Sequence, residues 1–149
     1  MITYITETSI LDSHADAIVI PVNCVGVMGA GLAKAYKDRY PYDYAEYTVL
    51  CHGKYLALGK VAGIYSLHKR RVVYFPTKNH WRENSSIAGI KIGLVSMVQW
   101  IHDHTDVVQS IAFPQLGCGK GNLQWKQVKP LMEEYLLPLD LTIYIHEYE

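Results

Sequence analysis

Three short segments of this 149-residue chain hold the residue types that bind anions and handle sugar chemistry. The first is Asn23-Cys24-Val25-Gly26-Val27-Met28-Gly29-Ala30-Gly31, and the second is Gln115-Leu116-Gly117-Cys118-Gly119-Lys120-Gly121-Asn122. Each follows an apolar strand-like run and precedes helix-like sequence. A backbone without side chains approaches an anion closely, and a helix N-terminus adds free N–H donors and a positive dipole end. Two such loops on one sheet suggest a clamp on a diphosphate. The first loop lacks the Gly-Lys-Ser/Thr of a nucleotide-triphosphate loop, and its glycine order differs from the dinucleotide fingerprint. A tight strand-to-helix turn is the other reading of its glycines. Asn23, at the strand end, is placed to hydrogen-bond a ribose hydroxyl. Lys120 has two open readings, a phosphate partner or a solvated side chain.

The third segment is Phe75-Pro76-Thr77-Lys78-Asn79-His80-Trp81-Arg82. A lysine near an electrophilic sugar carbon can act as nucleophile if burial or nearby cations lower its pKa. His80 can move protons near neutral pH. Arg82 can hold a phosphate, and Trp81 can stack on a base or cover apolar surface. Each residue alone more often has an ordinary structural role; their clustering after a strand gives the segment its weight. Cys24 and Cys118 have no dedicated base and are read as packing residues. His102 and His104 are read as capping a helix end. No metal-ligand set is expected.

The elements that must position these segments alternate. Strands are expected at Ile2–Thr6, Ala17–Val22, Val61–Ser66, Arg71–Phe75, Ser110–Phe113 and Leu141–His146, all rich in Val, Ile and Tyr. Ala17–Val22 and Ile111–Phe113 are apolar on consecutive residues, as in central strands covered on both faces. Helices are expected at Gly31–Tyr40, at Tyr42–Cys51 opened by Pro41, from a Ser85 or Ser86 cap to about His102, and at Gln124–Leu137. Pro130 implies a kink or a late start in the last of these. The alternation predicts one α/β domain over 1–149, with helices on both faces of a sheet of about six strands and ligands at the strand carboxyl ends.

Half the residues are hydrophobic, 19% are charged and the formal net charge is +0, so the chain as a whole has no general attraction for nucleic acid or anionic membrane. The charge is uneven. His68 to Arg82 holds Lys69, Arg70, Arg71, Lys78 and Arg82 with no acid, while the chain after Lys129 holds acids and no Lys or Arg. A local basic face and a merely solvated edge both fit this run. Any DNA contact is expected to rely on the Lys69–Arg82 stretch and to depend on salt. Three cysteines form no disulfide or zinc pattern, no signal peptide is visible, and the longest apolar stretch is far too short to cross a bilayer. A cytoplasmic monomer is expected.

With these segments in hand, the chain resembles a macrodomain, the ADP-ribose-binding three-layer α/β/α module with a central mixed sheet. The resemblance runs over essentially the full length. It is carried by Val-Asn-Cys-Val-Gly-Val-Met-Gly-Ala-Gly-Leu-Ala-Lys, by Phe-Pro-Thr-Lys-x-His-Trp-Arg and by Gly-Cys-Gly-x-Gly-x-Leu-x-Trp. It is strongest to the branch holding the DarG-type DNA ADP-ribosyl glycohydrolases and the terminal ADP-ribose protein glycohydrolase. By resemblance, Asn23 faces the distal ribose, and Val27, Met28, Gly29 and Gly31 wrap that ribose and the diphosphate. Leu116, Gly117, Cys118, Gly119, Lys120, Gly121 and Asn122 close over them, with Pro76 and Thr77 beside. Thr8 to Ile10, with Ser9 and Ile10 as the contacts, line the adenine site.

The resemblance further implies Lys78 as the attacking group; beside it the residues themselves suggest His80 as a proton shuttle, Asn23 as the ribose anchor, and Trp81 and Arg82 as nucleic-acid contacts. Two positions depart from the wider family. Thr8-Ser9 stands where many macrodomains have Gly-Asp, and Gly121 stands where the protein glycohydrolase has a catalytic Asp. The second departure favours DNA-linked ADP-ribose, on thymine above all, with single-stranded DNA as a candidate partner and no cofactor. The alternatives are a non-catalytic reader of ADP-ribose and a phosphatase acting on ADP-ribose 1″-phosphate.

Overall fold

Residues 1–148 are described by a computed structural model of the chain. Six strands form one sheet: β1 (Ile2–Ile5), β2 (Ala17–Val22), β3 (Ala62–Tyr65), β4 (Arg71–Pro76), β5 (Ser110–Phe113) and β6 (Thr142–His146). Their order is β1-β6-β5-β2-β4-β3, with every pairing parallel except β3 with β4. The consecutive apolar residues of β2 and β5 sit in the sheet centre, where both faces are covered and no polar side is needed.

Four α-helices cover the sheet: α1 (Gly31–Arg39), α2 (Pro41–His52), α3 (Ile87–Asp103) and α4 (Trp125–Leu136). Alternate strand residues face opposite helix layers, as the two-residue strand period requires. Ile18, Ile20, Val72 and Tyr74 pack with α1 and α2, while Val19, Val73, Phe75, Ile111 and Phe113 pack with α3 and α4. This is the three-layer α/β/α arrangement that the alternating pattern predicts. Ser86 caps α3 by accepting from Gly89 N–H at 3.0 Å, which decides between the two serine caps. His104 ends the same helix, its Nδ1 2.6 Å from the Trp100 carbonyl oxygen. Pro130 neither delays nor interrupts α4. It is the sixth residue of the helix and, with Lys126, lies on the exposed side, where water can take the carbonyl its missing N–H leaves free.

A short 3-10 turn, Ile10–Asp12, joins β1 to β2; the sequence patterns had shown no element there. Ser9 caps it, accepting from Leu11 N–H at 3.2 Å. No helix among the described residues is long and apolar enough to cross a membrane.

One polar network lies in the α1/α2 layer. Asp43, in the first turn of α2, is 1% exposed and accepts from Tyr36 (2.8 Å) and from Ser66 (2.9 Å to each oxygen). The Tyr36 and Tyr74 hydroxyls lie 2.8 Å apart. Burial, first of all, raises the pKa of both phenols, which keeps them as neutral donors. Asp43→Ala takes the acceptor from the Ser66 hydroxyl and leaves Tyr36 only its Tyr74 partner in the core, so urea unfolding should show a loss of about 3 kcal/mol. Loss of less than about 1 kcal/mol would mean the network reorganises around the gap.

Candidate active site

The first glycine loop, the Lys78 segment and the second glycine loop follow β2, β4 and β5, which are neighbours in the sheet and run parallel. All three therefore emerge at one sheet end and line a single cavity of about 960 Å³. Its walls include Asn23, Val27, Gly29, Gly31, Thr77, Lys78, Trp81, Gly117, Cys118, Gly119, Lys120 and Gly121.

Asn23 organises the first loop. Its Oδ1 accepts from Val25 N–H (3.1 Å), Val27 N–H (3.3 Å) and the Tyr47 hydroxyl (2.9 Å), and its Nδ2 donates to the Val27 carbonyl at 2.7 Å. An amide NH2 has two protons, so one Nδ2–H remains for a ligand hydroxyl. Gly26 turns the loop with φ of 85°, and the buried Met28 anchors it in the core. The loop ends at Ala30, the N-cap of α1, which provides no side-chain cap. Among the described residues nothing accepts from the N–H groups of Gly31, Leu32 or Ala33, and all three residues line the cavity.

The second loop repeats the device from the opposite wall. Gly117, with φ of 75°, starts the turn; Leu123 N–H closes on the Gly117 carbonyl at 2.9 Å, and Asn122 N–H on Gly119 at 3.1 Å. The N–H groups of Gly119, Lys120 and Gly121 have no acceptor among the described residues. Two sets of free amides thus border one cavity, a geometry that suits two linked phosphates. Gly121 is buried against Ser85, whose N–H donates to the Gly121 carbonyl at 2.9 Å.

Lys78 joins the three segments. Thr77 N–H continues the β2 pairing by donating to Val22 O at 3.0 Å, and Cys24 N–H donates to Asn79 O at 2.9 Å. The Lys78 Nζ donates to the Trp81 carbonyl (3.0 Å) and to the Lys120 carbonyl of the second loop (3.2 Å). Its pKa lies below the ordinary lysine value of 10.5: partial burial lowers it, the Glu83 carboxylate opposes this, and the Lys120 charge lowers it further. A neutral amine with both protons held by two carbonyls keeps its lone pair free for an electrophile. The Cys24 and Cys118 thiols are each pushed up to about 11 by burial, so neither is a thiolate nucleophile near neutral pH.

Other expected site residues lie elsewhere. Ile10, Met28 and Leu116 are buried core side chains, and Pro76 is a buried residue of β4; none lines the cavity. Their apolar bodies pack the layers beneath the loops, so only backbone could reach a ligand. Ser9 is engaged in its cap, and Asn122 donates to Asn84 Oδ1 at 2.7 Å. His80 stands outside the cavity, its Nδ1 accepting from Arg82 N–H at 3.1 Å and its backbone N–H donating to Glu83 at 2.6 Å. Arg82 is exposed, with its guanidinium 4.7 Å from the Trp81 ring centre; Trp81 itself is 47% exposed at the cavity edge. Lys120 is exposed but lines the cavity, so it can face both ligand and water.

Ten lining residues stood outside the expected site residues: Pro21, Val22, Ala30, Leu32, Ala33, Pro114, Gln115, Leu123, Trp125 and Tyr148. Trp125 stands in a quoted motif, but Tyr148 has no local signal. It follows β6, and its backbone N–H donates to Gln115 Oε1 at 3.1 Å, which ties it to the second loop. The run from Lys69 to Arg82 is not one basic face. Lys69, Arg70 and Arg71 lie at one end of β4 and Lys78 to Arg82 at the other, about 20 Å apart for a six-residue strand.

Residues 19–132 match the family model for the Macro domain. A curated relative from Mycobacterium tuberculosis, named DNA ADP-ribosyl glycohydrolase, is 35% identical over 150 residues, covering 97% of this chain and 42% of the relative. The chain thus spans about two-fifths of that relative's length. The solved macrodomain of Mycobacterium tuberculosis DarG superposes with a TM-score of 0.91 at 34% identity, covering 98% of this chain and 97% of that one. Thermosipho africanus DarTG, solved in complex with ADP-ribose, superposes with a TM-score of 0.87 at 34% identity, covering 96% of this chain and 40% of that one.

Proposed function

The chain belongs to the macrodomain family, and from that membership we propose that it is an ADP-ribosyl glycohydrolase that removes ADP-ribose from a DNA base. The observation that carries this reading is the Lys78 amine, held by two carbonyls at the wall of a cavity bordered by two sets of unpaired amides. The amides take the diphosphate, the spare Asn23 Nδ2–H takes a hydroxyl of the distal ribose, and Lys78 faces the anomeric carbon. Names among the similar proteins, DNA ADP-ribosyl glycohydrolase and an ADP-ribose complex, support both substrate and reaction.

In the proposed reaction, neutral Nζ forms a bond to the anomeric carbon as that carbon's bond to the base nitrogen breaks. The departing nitrogen takes up the proton that the newly alkylated Nζ gives up. Water then breaks the Nζ–carbon bond, returning Lys78 and releasing ADP-ribose. Lys78, and not a carboxylate, is the attacking group because no acid projects from the second loop. Gly121 has no room for a side chain, since a Cβ there would collide with Ser85 Oγ and lie 2.5 Å from the Gly117 carbonyl oxygen.

The test is turnover of single-stranded DNA carrying ADP-ribose on thymine, run beside glutamate-ADP-ribosylated protein. Release from DNA is expected. Release from protein alone would sink the DNA reading; release from neither, with ADP-ribose still bound, would leave a reader. The rate on DNA should rise tenfold per pH unit while Lys78 is mostly protonated, and level off above its lowered pKa. Glu83→Gln removes the charge that raises that pKa, so the plateau should begin at lower pH. An unmoved profile would show that Lys78 does not titrate in the rate-determining step.

A further inference from the structure

A second cavity, of about 480 Å³, opens at the other end of the sheet. It lies where β2 and β4 begin, between the Ser66–Arg70 turn and the segment that leads into β2. Its lining carries Lys69, Arg70, Arg71, His14 and His68 against a single acid, Asp16. None of Lys69, Arg70 and Arg71 has a carboxylate within 4.0 Å among the described residues, although the ion pairs Lys34–Asp38, Arg39–Asp12 and Lys129–Glu147 form elsewhere. Asp16 is engaged with Gln109 N–H at 2.8 Å. The Arg70 guanidinium is held by the carbonyls of Ser13 (2.8 Å) and Leu11 (3.4 Å), neutral partners that fix its position and leave its charge uncompensated. In a chain of zero formal net charge, this is a local concentration of positive charge in a concave site.

Aromatic faces alternate with these cations. Arg71 lies 5.3 Å from the Tyr65 ring centre, and Tyr65 is 61% exposed. The His68 ring sits 4.3 Å from Tyr40. Cations that track phosphates, beside an open aromatic face on which a base can stack, form the pattern of single-stranded nucleic-acid binding.

We propose that this cavity is a second nucleic-acid contact, holding the phosphodiester backbone of single-stranded DNA at a distance from the modified nucleotide. Tyr65 is the stacking face and Lys69 and Arg71 are the phosphate partners. This rests on the reading that the substrate is DNA-linked ADP-ribose. The length of β4 separates the two sites by about 20 Å, so a strand reaching both needs more than about six nucleotides at the 3.4 Å stacked rise. Oligonucleotide length therefore matters to this site and not to the cleft.

The variant is Lys69→Asn combined with Arg71→Gln; asparagine tolerates the positive φ of 60° at position 69. Arg70 is left in place because it ties two segments together. Binding of an unmodified thymidine oligonucleotide of about twenty residues, longer than the span above, is measured by fluorescence anisotropy across a salt series. The variant should bind at least about tenfold more weakly at low salt, with a slope of log affinity against log salt shallower by about 1.4 for two lost phosphates. ADP-ribose affinity by calorimetry should not change. Unaltered oligonucleotide affinity and slope would overturn the proposal. So would saturation of the His14 and His68 ring resonances by inorganic phosphate, lost in the variant while oligonucleotide binding persists, since the site would then serve a small free phosphate. If wild type releases no ADP-ribose from DNA but the variant still loses oligonucleotide binding as expected, the contact stands and the glycohydrolase reading fails.

Discussion

Lys78→Ala should lower the release of ADP-ribose from DNA by about 10³-fold or more, because the proposed route runs through attack by this amine and an adduct on it. ADP-ribose affinity should change by less than about tenfold, since the lost hydrogen bonds run to the Trp81 and Lys120 carbonyls at an accessible edge. The split between rate and affinity separates a reacting group from one that merely binds. Lys78→Arg sharpens the test. Arginine keeps the positive charge and can still donate to both carbonyls, but it stays protonated and cannot attack. If Lys78→Arg retains most of the activity, the lysine acts as a fixed charge and the covalent route is wrong. If both variants turn over like wild type, the bond is broken by another group in the cavity.

Gly121→Ala should cost about 2 kcal/mol in stability and weaken ADP-ribose binding by at least about tenfold, as expected for an overpacked site that displaces a ligand loop. The added methyl group would collide with Ser85 Oγ, lie 2.5 Å from the Gly117 carbonyl oxygen and 2.9 Å from Ser85 Cβ. Two of those three atoms belong to Ser85, whose buried hydroxyl has no hydrogen-bond partner among the described residues. Ser85→Gly in the same chain should therefore restore part of the loss. Gly119→Ala is the control: nothing lies within 4 Å of its added carbon, so stability should stay within about 0.5 kcal/mol of wild type. Thermal unfolding and ADP-ribose calorimetry on the three variants check this. Equal behaviour of Gly121→Ala and Gly119→Ala would mean that the loop moves freely and that its packing on Ser85 does not hold it.

The Gly121 result also bears on substrate choice. The absence of an acid at position 121 is enforced by packing as well as by residue type. Gly121→Asp should therefore disrupt the loop as Gly121→Ala does, and should not by itself create a carboxylate-assisted reaction.

Much of the site was legible along the chain because strand, loop and helix follow one another locally. Ala17–Val22 and Ser110–Phe113 have the bounds their apolar runs predict, and the loops after them are the glycine segments. Lys78 was legible as a site residue from its type and neighbours, and it lines the cavity, while the direction of its pKa shift comes from contacts that the fold creates. The side chains of Met28, Ile10 and Leu116 lie in the core and not in the cavity wall for a physical reason: a ligand loop needs apolar anchors beneath it, and sequence order does not separate anchor from wall. Asn23 was read toward the ligand, yet most of its hydrogen-bonding capacity holds its own loop, with Tyr47 reaching it from α2.

The sequence by itself determined the elements, the two-faced sheet and the three segments that bear chemistry, because each depends on the local period of apolar residues and on turn residues. Tertiary structure decided the rest. Strand order placed β2, β4 and β5 side by side and so brought three separate segments to one cavity. It carried Tyr148 from the chain end to that cavity, and it split the basic run between two ends of β4. Strand neighbours are selected by long-range packing and crossover geometry, which leave no signature in the order of nearby residues.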